Sequence, residues 1–181
     1  MAGQIVYPIS MTSTVRTRTA KSDAKKQTVD PAMEALQHFR LIFKSVKKHF
    51  QWVEQQTGVN GAQLWALAAV VEKPGLKVND LAKALAIHHS TTSNLIDKLM
   101  KQRLLRKERS DEDQRIVRLF PEPKGILLVK RAPKPLRGVL PDALSRTPAS
   151  DLAHLNALLS GLERNMKVRD STGKTTPLAD I

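Results

Sequence analysis

The sequence predicts a mostly α-helical fold with a small β wing, bracketed by a long helix at each end of the folded part. Three observations carry that expectation. Apolar residues recur at helical spacing in two stretches, Met33–Val53 and Leu152–Met166. Between them, Leu81–Leu99 holds two shorter helical patterns split by a tight break at Ile87-His88-His89. Directly after comes a basic strand, an acidic turn and a second basic strand (LLRKER, SDEDQR, IVRLF) over Leu104–Phe120. This order is that of a winged helix-turn-helix, which lays one helix in the DNA major groove and sets a hairpin beside it.

Composition narrows the function. The chain has 181 residues, enough for one domain with arms, and its net charge of +13 implies a polyanionic partner. Hydrophobic residues make up 41% and aromatics 4%, so the core must be built from Leu, Val, Ile and Ala. Cysteine is absent, which excludes disulfides, thiol redox chemistry and Cys-ligated zinc. No apolar run approaches the ~20 residues of a membrane span. The N-terminal MAGQIVYPISM lacks a charged region followed by an apolar one, so a cytoplasmic protein is expected. His38 and His49 share a helix face but stand roughly 16 Å apart at ~1.5 Å per residue, too far to hold one ion. No phosphate-binding glycine loop, nucleophile motif or catalytic acid pair occurs. No metal, no cofactor and no enzymatic activity are expected.

Along the chain, residues 1–30 lack periodicity and carry Arg16, Arg18, Lys21, Lys25 and Lys26, which reads as a flexible basic arm. Asp30-Pro31 supplies an N-cap and a first-turn proline, and Gly58 a stop, so the first helix covers 31–57. Residues 61–72 are apolar nearly all round, as in a buried helix, and Pro74-Gly75 breaks it. Asn79 is expected to cap a helix Asp80–Ala86 with Leu81, Ala82 and Leu85 inward. The next helix runs from about Ser90 to Gln102, with Leu95, Ile96 and Leu99 inward. The wing follows as strands 104–109 and 116–120. Pro133, Pro135 and Pro141 require that a helix over 125–145 be kinked or split. Thr147-Pro148 opens a last helix, and 168–181 reads as a flexible tail. The folded domain is therefore 31–167, with a DNA-binding lobe at about 61–122. The apolar stripes of 31–57 and 123–167 are left to pack on each other, on a second subunit, or both.

The outward face of the second short helix presents His89, Ser90, Thr91, Ser93, Asn94, Asp97 and Lys98. Hydroxyls at a helix N-terminus join free backbone N–H groups in binding phosphate. Asn94, one turn in, suits paired hydrogen bonds to adenine, and Lys98 suits a phosphate or a guanine edge. From Lys98 to Arg131, eleven Lys/Arg face five Asp/Glu, so this stretch holds +6 of the +13. In the wing, Arg109 and Arg115 suit the negative potential of a narrow minor groove. Asp113 suits a paired hydrogen bond that holds an arginine in position. These residues predict sequence-specific binding of double-stranded DNA. An architectural DNA-binding protein of low specificity and a winged helix used for protein contact are the alternatives.

The runs LAKAL (Leu81–Leu85), STTSNLIDKL (Ser90–Leu99), DQR (Asp113–Arg115) and Lys124-Gly125 resemble, in that order, the MarR family of bacterial transcription regulators. The resemblance spans about Pro31 to Met166. It implies a ligand-responsive homodimer joined through the first, fifth and sixth helices. It implies binding to a pseudo-palindromic operator, usually as a repressor, and release by a small aromatic or anionic effector. On it, Ser90 and Thr91 match phosphate or base contacts, Arg115 the wing arginine and Asp113 its partner. An effector pocket between the dimer helices and the DNA-binding lobe is expected from Phe43, His49, Trp52, Gln63 and Trp65. The chain departs from the pattern at Asn94, where arginine is common, and at Pro121-Glu122-Pro123. Ala86 and Arg103 replace glycines, which predicts that these two turns differ.

Overall fold

The computed structural model describes residues 30–109 and 116–180. Helix α1 (Pro31–Thr57) begins and ends where its capping residues dictate: Asp30 accepts the Ala32 N–H, and Gly58 takes the left-handed conformation that ends it. Helix α2 (Gly61–Glu72) is the centre of the molecule, and Leu64, Ala66, Leu67 and Val70 on it are fully buried. Its start is a capping box in which the Asn60 side chain accepts the Gln63 N–H at 2.8 Å and Gln63 Oε1 accepts the Asn60 N–H at 2.9 Å.

Strand β1 (Leu76–Lys77) leads straight into α3 (Val78–Leu85), and the turn 86–88 leads into α4 (His89–Lys101). The hairpin strands are β2 (Leu105–Arg109) and β3 (Val117–Pro121). The sheet order is β1-β3-β2, antiparallel throughout, with Leu76 opposite Leu119 and Lys107 opposite Leu119 on the other side. The wing is thus three-stranded where the sequence predicts two. Because β1 runs into α3 without a break, α3 starts earlier than expected. Asn79 lies inside it and Lys77 takes the N-cap position with no side-chain hydrogen bond.

The core closes around α2. Val53 of α1, Leu81 of α3, Leu95, Ile96 and Leu99 of α4, Leu104, and Leu119 of β3 are all within 3% of full burial. Thr92, on the same inner face of α4, is fully buried and donates its hydroxyl to the His88 carbonyl. Ala86 and Arg103 have φ of 53° and 55°. Both turns therefore keep the left-handed geometry that glycine would give, and they do so with side chains that strain it by about 1 kcal/mol each. The expectation that these turns differ is not met. The Ala86 turn is held by hydrogen bonds from the Ala86 and Ile87 N–H groups back to Lys83 and Ala82.

The proline-broken stretch is split, as expected, into α5 (Pro123–Arg131) and α6 (Val139–Ser145). Helix α7 (Ala149–Asn165) follows, and none of its side chains is buried. The C-terminal segment is not a loose tail. It forms two short 3-10 turns, Thr172–Thr175 and Leu178–Asp180, with Pro177 buried and Ala179 packed against the core.

Candidate nucleic-acid interface

Helix α4 stands beside the sheet with its N-terminus outward. His88 takes its N-cap position, its ring Nδ1 lying 3.3 Å from the Ser90 N–H and 2.8 Å from the Ser90 hydroxyl. That pair fixes the first turn and orients Ser90. His89, Ser90, Asn94 and Lys98 are exposed, while Thr91 and Ser93 are half-buried. A groove of about 490 Å³ separates α4 from the sheet, lined by Lys77, Asn79, His89, Ser93, Lys107 and Val117 among others. Lys107 Nζ meets Asp97 Oδ1 at 2.7 Å, which ties β2 to the outer face of α4. On β2, the Arg106 guanidinium lies 5.2 Å from the Phe120 ring centroid and 2.8 Å from Glu108, so Arg106 is committed to the wing itself. Arg109 is exposed at the end of β2.

The expected contact residues of α4 thus share one face, and Arg109 lies at the wing. Asp113 and Arg115 lie outside the described residues, as does the basic arm up to residue 29. Lys77 and Asn79 also line the groove, and neither is among the expected contact residues. Lys77 belongs to a strand too short to leave a periodic pattern.

The expected effector residues are not gathered in one place. Phe43 is 65% exposed on α1 and stacks on Phe39, and Trp52 is 48% exposed. Gln63 is buried in the capping box. His49 is buried between α1 and the loop after α5, bonded to the backbone of Pro135. Of the five, Trp65 is the one that lines the cavity of about 400 Å³ between α2, the α3–α4 turn, α6 and the C-terminal segment. Its other walls include Phe50, Ala86, Leu144 and Leu178, with Arg137 and Lys174 as its charged groups. None of those six was legible as a pocket residue. They come from five separate stretches of the chain.

Burial holds the His49 pKa below its ordinary 6.5, against the opposing effect of the Pro135 hydrogen bond. The unfolded chain therefore binds the proton more readily than the folded one. Stability is full above about pH 6.5 and falls as pH drops through that value toward the lower folded pKa. Urea midpoints measured between pH 7.5 and 5 should decline in the native chain and decline less in His49→Gln. Parallel declines would remove His49 from the acid response.

Together these features define a winged helix-turn-helix: a recognition helix, α4, whose exposed N-terminal turn stands next to a basic three-stranded wing. Residues 57–116, from the end of α1 into the wing, match the MarR family model. Two solved structures share the fold along almost their whole length. A MepR-like protein complexed with pseudoligands is 20% identical with a TM-score of 0.53, covering 76% of this chain and 97% of its own. The transcriptional regulator BldR from Sulfolobus solfataricus is 26% identical with a TM-score of 0.50, covering 74% of this chain and 98% of its own. No curated protein matches the chain.

Proposed function

We propose that this chain is a cytoplasmic transcription regulator that binds double-stranded DNA as a homodimer. It acts as a repressor on a pseudo-palindromic operator and is released by a small aromatic or anionic effector. The observation that carries this reading is the exposed first turn of α4. Ser90 and its neighbours sit there at the N-terminus of the helix, the Ser90 N–H capped by His88, with Lys77 and Lys107 flanking the groove behind them. The surplus of positive charge between Lys98 and Arg131 supplies the sequence-independent part of the affinity. BldR, similar over most of the chain, is itself a transcriptional regulator. The cavity supports an effector of the stated class, because it pairs the rings of Phe50 and Trp65 with the cations Arg137 and Lys174.

Two-fold symmetry in the protein matches two-fold symmetry in an operator, with recognition helices about one DNA turn apart. The apolar faces of α1 and α7 supply a surface for that dimer. Met33, Leu36, Leu41 and Ile42 on α1 and Leu155, Leu158 and Leu162 on α7 are exposed within one chain.

The test is fluorescence anisotropy on duplexes selected from a random pool, compared with unselected duplex, as KCl is raised. Tighter binding to selected DNA is expected. Log affinity should fall linearly with log salt, with a slope of about −0.9 per phosphate contact. Arg115→Ala should weaken binding roughly tenfold with the melting temperature unchanged. Equal affinity for all duplexes would replace this reading with an architectural protein, and an unaltered Kd in Arg115→Ala would remove the wing from it.

A further inference from the structure

We propose that Ser171–Asp180 is a built-in strap that fixes the turn leading into the recognition helix and couples the cavity to that turn. The strap has its own scaffold. Asp170 Oδ1 accepts the Thr172 N–H at 2.8 Å, and the Thr176 hydroxyl donates to the Thr172 carbonyl at 3.0 Å. Lys174 reaches Glu163 of α7 at 3.7 Å, joining the strap to the helix it leaves. From there it crosses to the DNA-binding lobe, where Pro177 is buried and Ala179 rests on the core.

Its landing point is the α3–α4 turn. The His88 N–H donates to the Thr175 carbonyl at 3.3 Å. Ala86 and Ile87, the two residues before it, line the cavity together with Thr176, Pro177 and Leu178. Three consecutive turn residues thus face the strap, and the third is the N-cap of α4. Ala86 carries left-handed strain, and such a conformation persists only where its surroundings over-determine it. The strap is one of those surroundings.

The strap is also the yielding wall of the cavity. The opposite walls, Gly61 and Ala62 of α2 and Leu85 of α3, are buried in the core. The strap is held mainly by local hydrogen bonds and is largely exposed, so it opens at lower cost. A molecule that fills the cavity moves the strap before it moves α2, and the strap carries the carbonyl that holds His88. The hydrogen-bonding part of this inference is independent of any DNA partner. Its DNA consequence rests on the function proposed above.

The experiment uses two variants. One is the chain ending at Asp170, which removes Lys174 and Asp180 together and so leaves the formal net charge unchanged. The other is full-length Ala179→Gln, neutral and too large for its place against the core. Residue-resolved amide exchange by NMR should show the His88 amide exchanging about 3- to 10-fold faster in both, the range expected for loss of one hydrogen bond. The amides of Leu95–Leu99 should be unchanged. On selected duplex, affinity should fall by about the same factor with the salt slope preserved. Unchanged His88 exchange in both variants overturns the strap. Faster exchange with unchanged or tighter DNA binding overturns its coupling to the reading face. If native protein binds no duplex, the proposed function fails while the exchange result still decides the strap.

Discussion

Replacing Gly125 with alanine is expected to destabilise the protein by about 3 kcal/mol. For a chain of this size that lowers the melting temperature by roughly 6–12 °C. A Cβ built at Gly125 collides with the carbonyl oxygen of Leu104. It also lies 3.0 Å from that carbonyl carbon and 3.1 Å from Leu67 Cδ1. The obstacle is backbone, and it is pinned on both sides. Leu104 donates its N–H to Leu99 at the end of α4, and its carbonyl accepts the Glu122 N–H at the start of α5, each at 3.0 Å. Relief therefore requires α5 to move away from α2 and β2 together. Alanine's higher helix propensity returns at most about 1 kcal/mol, which does not offset the clash. Thermal and urea melts of Gly125→Ala against the native chain measure the difference. A midpoint within error of the native value would mean that α5 shifts freely and does not lock the wing to the lobe.

The same glycine illustrates what can be read from a sequence. Lys124-Gly125 stands out as a family-like pair, yet the reason for the glycine is a close approach between residues far apart in the chain, which no local pattern encodes. Local chemistry was legible wherever it decides the outcome. Asp30-Pro31 and Gly58 bound α1, and the apolar residues of 61–72 mark the central helix. Pro133, Pro135 and Pro141 separate α5 from α6. The outward face of α4 could be listed residue by residue, because helical spacing alone fixes which side chains share a side. What was missed depends on distant partners. Leu76-Lys77 becomes a strand only because β3 lies beside it. Ser171–Asp180 finds its place through the α3–α4 turn and through Pro177 and Ala179 against the core, contacts that no local pattern encodes. Ala86 and Arg103 keep a glycine-like turn because surrounding hydrogen bonds outweigh the side-chain strain. The cavity escaped for a similar reason. Phe43 and Trp52 lie on the same helix as Phe50 but face outward, and the groups that line the cavity with Trp65 come from α1, the α3–α4 turn, the loop before α6, α6 and the strap.

The largest functional effect is expected from α7. Leu158 is 72% exposed within one chain, in line with Leu155 and Leu162 along the same helix. If this stripe is the subunit contact, a two-fold interface repeats every substitution, so Leu158→Glu removes two buried leucines and brings in two carboxylates. Each lost leucine accounts for about 1.5–3 kcal/mol of burial, which raises the dimer Kd by roughly 10²- to 10⁴-fold before any penalty for burying the charges. The fold of each chain should survive, since no side chain of α7 is buried in it. DNA affinity should then fall by a further large factor. A monomer offers one recognition helix to one half-site and loses the effective-concentration advantage of the second, on the order of 10²- to 10⁴-fold. Sedimentation equilibrium at micromolar concentration gives the first readout, far-ultraviolet circular dichroism the control, and anisotropy on full and half-site duplexes the second. The expected pattern is a folded Leu158→Glu monomer that binds full and half-sites alike. A variant that still sediments as a dimer would move the interface off α7. A native chain that is monomeric yet binds the full site tightly would require the two-fold reading head itself to be abandoned.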